Sequence, residues 1–177
     1  MGLLRDISEI KAYEQKLEQL AFTDELTGLL NRRYFETLLP SEIGQHRRSK
    51  QHMALLNLDL DNFKSVNDSL GHAAGDQVLK GVSKLLKSIV RATDIVCRRG
   101  GDELTVLLTQ VDDPEAAAQV SRKLIRGVEE LYGDLEQQLG VTIGIALFPQ
   151  DGEDPQSLHI NADRAMYVAK ARGKNCY

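Results

Sequence analysis

The sequence predicts an α+β domain in which a central, mostly antiparallel sheet is flanked by helices. One observation is the order of the predicted elements, which runs helix, strand, helix, hairpin, helix, strand, helix. A second is the pair Gly100-Gly101 between two apolar runs, because glycines supply the positive φ angles of a tight hairpin turn. A hairpin joins antiparallel strands, so the centre of the sheet is expected to be antiparallel.

Each element follows from the spacing of its apolar residues. Helices are indicated where apolar residues recur every three or four positions, and strands where short apolar runs end at turn residues. Asp113 and Pro114 suit the N-cap and first turn of a helix, and a loop is expected through Asn67-Asp68 and Gly71. The predicted helices cover residues 31–48, 78–89, 113–128 and 154–172, and the predicted strands cover residues 52–60, 94–98, 103–108 and 141–148.

Residues 1–20 are highly charged and are expected to form a helical linker ahead of a compact domain at residues 21–177. Their apolar residues recur at steps of four and three, interrupted at Glu14, which suits either a short coiled coil or an amphipathic lead-in helix. Residues 5–11 resemble the end of a PAS sensor domain, so an upstream sensor is an expected partner. The residues that carry the pattern are Leu3, Ile7, Ile10, Leu17 and Ala21.

Composition argues against several classes of function. The chain has 177 residues with a net charge of −4, whereas domains that bind nucleic acid usually carry a basic surface. It contains no apolar run of about 18 residues and no apolar segment typical of a secretory signal. Cys97 and Cys176 are far apart and lack metal-ligand spacing, which is typical of reduced thiols. A cytoplasmic domain is therefore expected, although a longer protein that contains it could be attached to a membrane.

The first acidic cluster lies where the strand at residues 52–60 ends. Asp59 and Asp61 are two residues apart, so an extended chain points both side chains to one face. Carboxylates together with substrate phosphates are the usual ligands of Mg²⁺ in proteins. The alternative is ordinary loop chemistry, because acidic residues are common where strands end.

The second acidic cluster, Asp102 and Glu103, directly follows the glycine pair. Strand alternation would point these two side chains to opposite faces, so at most one would bind a metal without local distortion. The alternative is a plain hairpin tip. Together, two acidic turns at sheet ends suit phosphoryl transfer assisted by divalent metals. The chain has no Gly-Lys-Ser/Thr phosphate loop, which excludes a P-loop enzyme.

At these residues the chain resembles the GGDEF family of diguanylate cyclases, and the resemblance implies the family's cyclase or polymerase-palm type of fold. The family signature stands here as Gly100-Gly101-Asp102-Glu103-Leu104, and other blocks match in order along the domain. The other blocks are Asp24-Glu25-Leu26-Thr27-Gly28-Leu29, Asn31-Arg32-Arg33, Asp59-Leu60-Asp61-Asn62-Phe63-Lys64, Asn67-Asp68, Gly71-His72, Gly75-Asp76, Ala162-Asp163, Ala165-Met166-Tyr167, Ala169-Lys170 and Gly173-Lys174-Asn175.

The resemblance implies a metal site at the two acidic turns. Asp59 and Asp102 would bind Mg²⁺, with Mn²⁺ as a second possibility, and the Leu60 carbonyl would assist. Glu103 would bind metal or activate the 3′-hydroxyl of the substrate, and both roles stay open. Lys64 is a further candidate catalytic residue.

The resemblance also implies a binding site for GTP. Asn67 and Asp76 would recognise guanine, which suits an amide and a carboxylate, and His72 belongs to the same block. The backbone amides of Asn62 and Phe63 would bind phosphate. The lysines expected to bind phosphate are Lys64, Lys170 and Lys174.

Lys170 and Lys174 are four residues apart in the last predicted helix, so they are expected on one helical face. Basic residues also favour the C-terminal end of a helix for electrostatic reasons, which is the alternative explanation for this pair.

The segment Arg91-Ala92-Thr93-Asp94 resembles the Arg-x-x-Asp site through which cyclic di-GMP inhibits its own synthesis. Arg91 and Asp94 would bind the product there, with Arg122 as a secondary arginine. The alternative is an ion pair at a helix end, which contributes little at a surface.

The function implied by the resemblance is a homodimeric diguanylate cyclase that condenses two GTP molecules into cyclic di-GMP and releases two pyrophosphates. Two alternatives stay open: a weakly active GTP-binding module that regulates an attached phosphodiesterase, and a receptor for cyclic di-GMP. Residues 148–152 and the closing helix resemble GGDEF domains fused to EAL domains, so a downstream EAL domain is a further expected partner.

Two positions depart from the family pattern. Leu104 replaces the usual phenylalanine, and Arg99 replaces a common aromatic residue. The smaller leucine is expected to loosen the acidic turn, at a cost of about 1 kcal/mol. Because the proposed metal and guanine residues are all present, activity is expected, at a rate that the two departures could reduce.

Overall fold

A computed structural model describes residues 21–177, and the predicted linker at residues 1–20 lies outside the described residues. The helices are α1 (Arg32–Ser49), α2 (Phe63–Leu70), α3 (His72–Ile89), α4 (Pro114–Tyr132) and α5 (Pro155–Ala171). The strands are β1 (Leu30–Asn31), β2 (Met53–Asp61), β3 (Ile95–Gly100), β4 (Glu103–Leu108) and β5 (Gly140–Phe148).

The strands form one five-stranded sheet in the order β1-β3-β4-β2-β5. Strand β2 is antiparallel to both β4 and β5, and β3 is antiparallel to β4. Only the short β1 pairs in parallel, with β3. The prediction of a mostly antiparallel sheet flanked by helices is therefore confirmed.

Strand β2 is buried on both faces of the sheet because helices pack on each side. Leu56, Leu58 and Leu60 face one core together with residues of α2, α3 and α4. Met53 and Leu55 face a second core with residues of α1 and α5. This burial explains why β2 reads as an almost continuous apolar run rather than an alternating one.

The loop predicted through Asn67-Asp68 is wrong, because these residues belong to α2. Phe63 and Val66 lie three residues apart and are both buried, so this short segment does have an apolar helical face. Gly71, with a φ of 85°, separates α2 from α3. Helix α3 consequently begins at His72, earlier than the apolar spacing predicted.

The helix starts at Asp113 and Asp154 are confirmed. The Asp113 side chain accepts a hydrogen bond from the backbone N–H of Glu115. Asp154 and Ser157 form a reciprocal capping box at the start of α5. None of the helices in residues 21–177 combines the length and the apolar composition that a bilayer crossing needs.

Candidate active site at the β2 end

The two acidic turns meet at one end of the sheet. Asp59 lies directly opposite Glu103 in the antiparallel pairing of β2 with β4. Such opposed residues have Cβ atoms about 4.5–5.5 Å apart. The backbone N–H of Leu60 donates to the carbonyl of Asp102 at 3.4 Å. Strand pairing thus brings together the carboxylates of two segments that are more than forty residues apart in the sequence.

The turn differs in detail from the predicted one. Gly100 ends β3 with a φ of 144°, and Gly101 and Asp102 are the two residues between the strands. The pairing of β3 with β4 shifts register between Arg98 and Gly100. Asp102 lies in the turn and only Glu103 in the strand, so strand alternation does not fix the direction of the Asp102 side chain.

Negative charge is concentrated at this turn. Burial raises the pKa of the Asp102 carboxyl, and the carboxylates of Asp59 and Glu103 raise it further. Lys170 lies nearby, with its Nζ 2.8 Å from Asp59 Oδ1, and partly offsets that charge. Three carboxylates facing one lysine form a donor set that suits a hard divalent cation.

The carboxylates are not preorganised as a complete metal site. Among residues 21–177, no group of three or more His, Cys, Asp or Glu side chains is arranged to hold a metal ion. The proposed ligands Asp59, Leu60, Asp102 and Glu103 therefore remain predictions that the charge distribution supports.

A second feature of this end is the start of α2. Asn62 has a φ of 62° and its side chain does not cap the helix, so first-turn N–H groups are left without a side-chain acceptor. Such a helix start favours anions. Lys64 is exposed in the first turn, and Lys174 Nζ lies 3.3 Å from Asn62 Oδ1. The predicted phosphate-binding groups Asn62, Phe63, Lys64 and Lys174 are therefore brought together.

Lys170 and Lys174 do not share a helical face, so that prediction is wrong. Helix α5 ends at Ala171, and Gly173 and Lys174 both have positive φ angles. Lys174 reaches the start of α2 from an irregular segment, whereas Lys170 contacts Asp59 from the last turn of the helix.

The predicted guanine-binding residues lie on the paired helices α2 and α3. An added Cβ at Gly75 would lie 2.0 Å from Asn67 Oδ1, so only glycine lets the Asn67 side chain lie against α3 at this point. Asp76 follows Gly75 and is exposed, as is His72 one turn earlier. Asn67 and Asp76 are therefore neighbours beside solvent, where a base could be bound.

Sequence reasoning missed the residue that supports the signature turn, Arg98. Its guanidinium donates to both carboxylate oxygens of Asp24 at 3.1 Å, and to the carbonyl of Gly101 at 2.8 and 3.0 Å. Asp24 also accepts hydrogen bonds from the N–H and hydroxyl of Thr27. Burial alone would raise the pKa of Asp24, but the bonds from Thr27 and Arg98 outweigh it and lower the pKa.

Asp24 stands in a matched block and Arg98 lies two residues before the signature, but nothing in their spacing pairs them across 74 residues. The pairing of β1 with β3 does so, since it sets Asn31 beside Arg98.

The two departures from the family pattern occupy different environments. Leu104 is completely buried in the core. Arg99 lies near Asp163, with Nη1 3.7 Å from Oδ1, and Asp163 also accepts a hydrogen bond from Asn57 at 2.6 Å. The polar side chain at position 99 therefore has an acidic partner on α5.

The predicted inhibitory residues Arg91 and Asp94 lie at the start of β3, away from the acidic turns. Asp94 accepts hydrogen bonds from the backbone N–H groups of Arg91 at 2.9 Å and Thr109 at 3.0 Å. In the described part of the chain, the guanidinium of Arg91 forms no hydrogen bond and no ion pair. Cavities of about 390 and 160 Å³ lie on either side of this turn.

Arg122 is not brought to this site. It pairs with Glu115 and with the hydroxyl of Tyr177 on another face of α4. The basic residue of α4 that lines the smaller cavity is Lys123. One residue corresponds to about 100° around a helix, which separates the two side chains.

The fold and the acidic turns define a GGDEF domain. The family model "Diguanylate cyclase, GGDEF domain" matches residues 21–176, and the chain belongs to this family. It is 42% identical over 165 residues to the bifunctional diguanylate cyclase/cyclic di-GMP phosphodiesterase MucR of Pseudomonas aeruginosa, covering 92% of this chain and 24% of MucR. It is 37% identical to the cyclic di-GMP phosphodiesterase NbdA of the same organism, covering 96% of this chain and 22% of NbdA.

Among solved structures, the GGDEF domain of TpbB from Pseudomonas aeruginosa superposes with a TM-score of 0.80 at 35% identity, covering 87% of this chain and 91% of that one. The chain spans about a quarter of the length of the first curated relatives it matches.

Proposed function

We propose that this domain is a diguanylate cyclase that joins two GTP molecules into cyclic di-GMP and releases two pyrophosphates. The observation that carries the proposal is the meeting of Asp59, Asp102 and Glu103 beside the uncapped start of α2. A triphosphate is strongly anionic, so it can lie against carboxylates only with compensating cations and donors. The lysines and amides at this end of the sheet supply part of that compensation.

The donor set fits Mg²⁺, or Mn²⁺, held by Asp59, Asp102 and Glu103 with the Leu60 carbonyl. A bound divalent ion would supply charge stabilisation for phosphoryl transfer. Lys64, Lys174 and the amides of Asn62 and Phe63 bind the triphosphate, and Lys170 keeps Asp59 oriented. Asn67 and Asp76 bind the guanine edge, with His72 at the rim.

In each half-reaction, a 3′-hydroxyl oxygen forms a bond to the α-phosphorus of the other GTP, and the bond from that phosphorus to pyrophosphate breaks. Glu103 is exposed at the turn and is placed to take the hydroxyl proton. One domain offers one nucleotide site, so two domains must face each other. Dimerisation is therefore the expected point of control by flanking domains.

The test is incubation of the dimeric protein with GTP and Mg²⁺, followed by chromatography of the nucleotides. Cyclic di-GMP and pyrophosphate in a ratio of one to two support the proposal. GTP that binds without turnover contradicts catalysis and favours a regulatory module, a role suggested by the similarity to phosphodiesterases such as NbdA. Binding of cyclic di-GMP alone would favour a receptor.

We also propose that cyclic di-GMP inhibits the enzyme at Arg91. The flanking cavities and a guanidinium without a partner among the described residues support this role, while Asp94 already accepts backbone hydrogen bonds. Lys123 rather than Arg122 is the basic residue of α4 at that surface.

A further inference from the structure

We propose that Asp61 is a positioning residue that fixes the segment Gly173–Cys176 so that Lys174 reaches the phosphate-binding start of α2. The proposal rests on the proposed GTP site and assigns a separate role to Asp61, the second acidic residue at the end of β2. Asp61 would act through Lys174 and would not touch the nucleotide itself.

Asp59 and Asp61, the two acidic residues at the end of β2, have different partners. Asp59 contacts Lys170, whereas Asp61 is 4% exposed and its Oδ2 accepts two hydrogen bonds. One comes from the Thr142 hydroxyl at 2.7 Å and the other from the backbone N–H of Asn175 at 3.0 Å. Asp61 thus ties the end of β2 to a segment 114 residues away in the sequence.

The Asn175 segment is held at four further points along β5 and α4. The Asn175 N–H also donates to the Thr142 hydroxyl at 3.1 Å. The Asn175 side chain accepts from the N–H of Val141 at 3.3 Å and donates to Glu129. The Cys176 carbonyl accepts from the N–H of Ile143 at 2.9 Å. Gly140 leaves room for this contact, because a Cβ there would lie 2.9 Å from Asn175 Oδ1.

The backbone that carries Lys174 is strained. Lys174 and Asn175 have φ angles of 62° and 49°. Asparagine tolerates this left-handed region, but a lysine adopts it only when its surroundings impose it. This left-handed pair turns the chain away from the axis of α5 and directs Lys174 toward Asn62. The hydrogen bond from Asn175 N–H to Asp61 follows directly after Lys174, so it is placed to impose that turn.

Loss of the Asp61 contact should therefore release Lys174 and weaken GTP binding more than it slows the chemical step. We expect Asp61→Ala, which removes the oxygen that accepts from Thr142 and Asn175, to raise the KM for GTP about tenfold with kcat within threefold. Hydrogen exchange at the amides of residues 173–176 should quicken in the free protein.

The test is a double-mutant cycle with Lys174→Ala, read as the Kd for GTP with Ca²⁺ in place of Mg²⁺ to prevent turnover. If Asp61 acts through Lys174, the double variant should bind GTP no more weakly than Lys174→Ala alone. Additive losses, or unchanged GTP affinity in Asp61→Ala, would overturn the proposal. A shifted Mg²⁺ requirement at unchanged GTP affinity would also overturn it, because it would make Asp61 a metal ligand.

The matched control is Asp154→Ala, which removes another hydrogen-bonding aspartate from the far end of α5. It should lower the melting temperature but leave the KM unchanged. If Asp61→Ala fails to fold, Thr142→Val removes the hydroxyl that donates to Asp61 and accepts from the Asn175 N–H, and the same cycle applies. A wild-type protein that binds GTP but makes no product would refute the proposed catalysis while leaving the role of Asp61 measurable.

Discussion

The acidic turn and the Arg91–Asp94 turn both contain a carboxylate close to basic side chains. The two turns differ in whether the carboxylate or the basic side chain is left to bind a ligand. At the acidic turn, Asp59, Asp102 and Glu103 face one another, and Lys170 is the nearby cation that opposes them. At the other turn, backbone N–H groups already donate to Asp94, and the guanidinium of Arg91 has no partner within residues 21–177. The first region is suited to bind a cation with its nucleotide, and the second to bind an anion.

The largest expected effect is at the acidic turn. Asp102→Ala should lower the rate of cyclic di-GMP synthesis about a thousandfold, since metal-supplied charge stabilisation is worth several kcal/mol. Binding of cyclic di-GMP at Arg91 should be unchanged, because the two regions share no residue. Single-turnover nucleotide chromatography and calorimetry measure the two quantities. If Asp102→Ala lowered the rate of synthesis and the affinity for cyclic di-GMP by the same factor, the two regions would not be separate sites.

Arg98→Ala should have the next largest effect, because it removes the donors to Gly101 and Asp24 together. We expect a loss of about 1–3 kcal/mol in the free energy of unfolding. The rate should fall about tenfold to a hundredfold, because the acidic turn would no longer be held in place. Arg99→Ala is the matched control on the same strand, with only a 3.7 Å ion pair to lose. Urea titration and steady-state kinetics should separate the two variants.

At the second turn, Arg91 and Asp94 should respond differently to alanine. Arg91→Ala should abolish inhibition by cyclic di-GMP while leaving the urea midpoint within experimental error. Asp94→Ala should lower the free energy of unfolding by about 1–2 kcal/mol, because the N–H groups of Arg91 and Thr109 lose their acceptor. If both variants lost only inhibition, Asp94 would be a ligand-binding residue and the contrast with the acidic turn would fail.

The smallest expected effect is on stability in acid. The pKa of Asp24 is lowered in the folded state, so its contribution is fully present above the unfolded value of about 3.9. That contribution is lost as the pH falls through the lower, folded pKa. Asp24→Asn should therefore flatten the dependence of the urea midpoint on pH below about 4. An unchanged slope would mean that Asp24 has the same pKa folded and unfolded.

Much of the fold could be predicted because it depends on local patterns. The amphipathic spacing of α3, α4 and α5 and the caps at Asp113 and Asp154 are properties of short segments. Helix α2 was missed because eight residues are too few for a clear period and only Phe63 and Val66 are buried. The positions of Asp59, Asp102 and Glu103 could be predicted from motif and hairpin.

Sequence alone determined which residues are proposed to carry the chemistry, since the resemblance to the family is read residue by residue along the chain. Only the tertiary structure decided which partner each residue has. Asp59 and Asp61 are equivalent by spacing, but one contacts Lys170 and the other holds Asn175, because different elements pack beside them. Arg98 reaches Asp24, and Lys123 rather than Arg122 lines the cavity near Arg91, for the same reason. Contacts between distant segments depend on strand pairing and helix rotation, which no local spacing specifies.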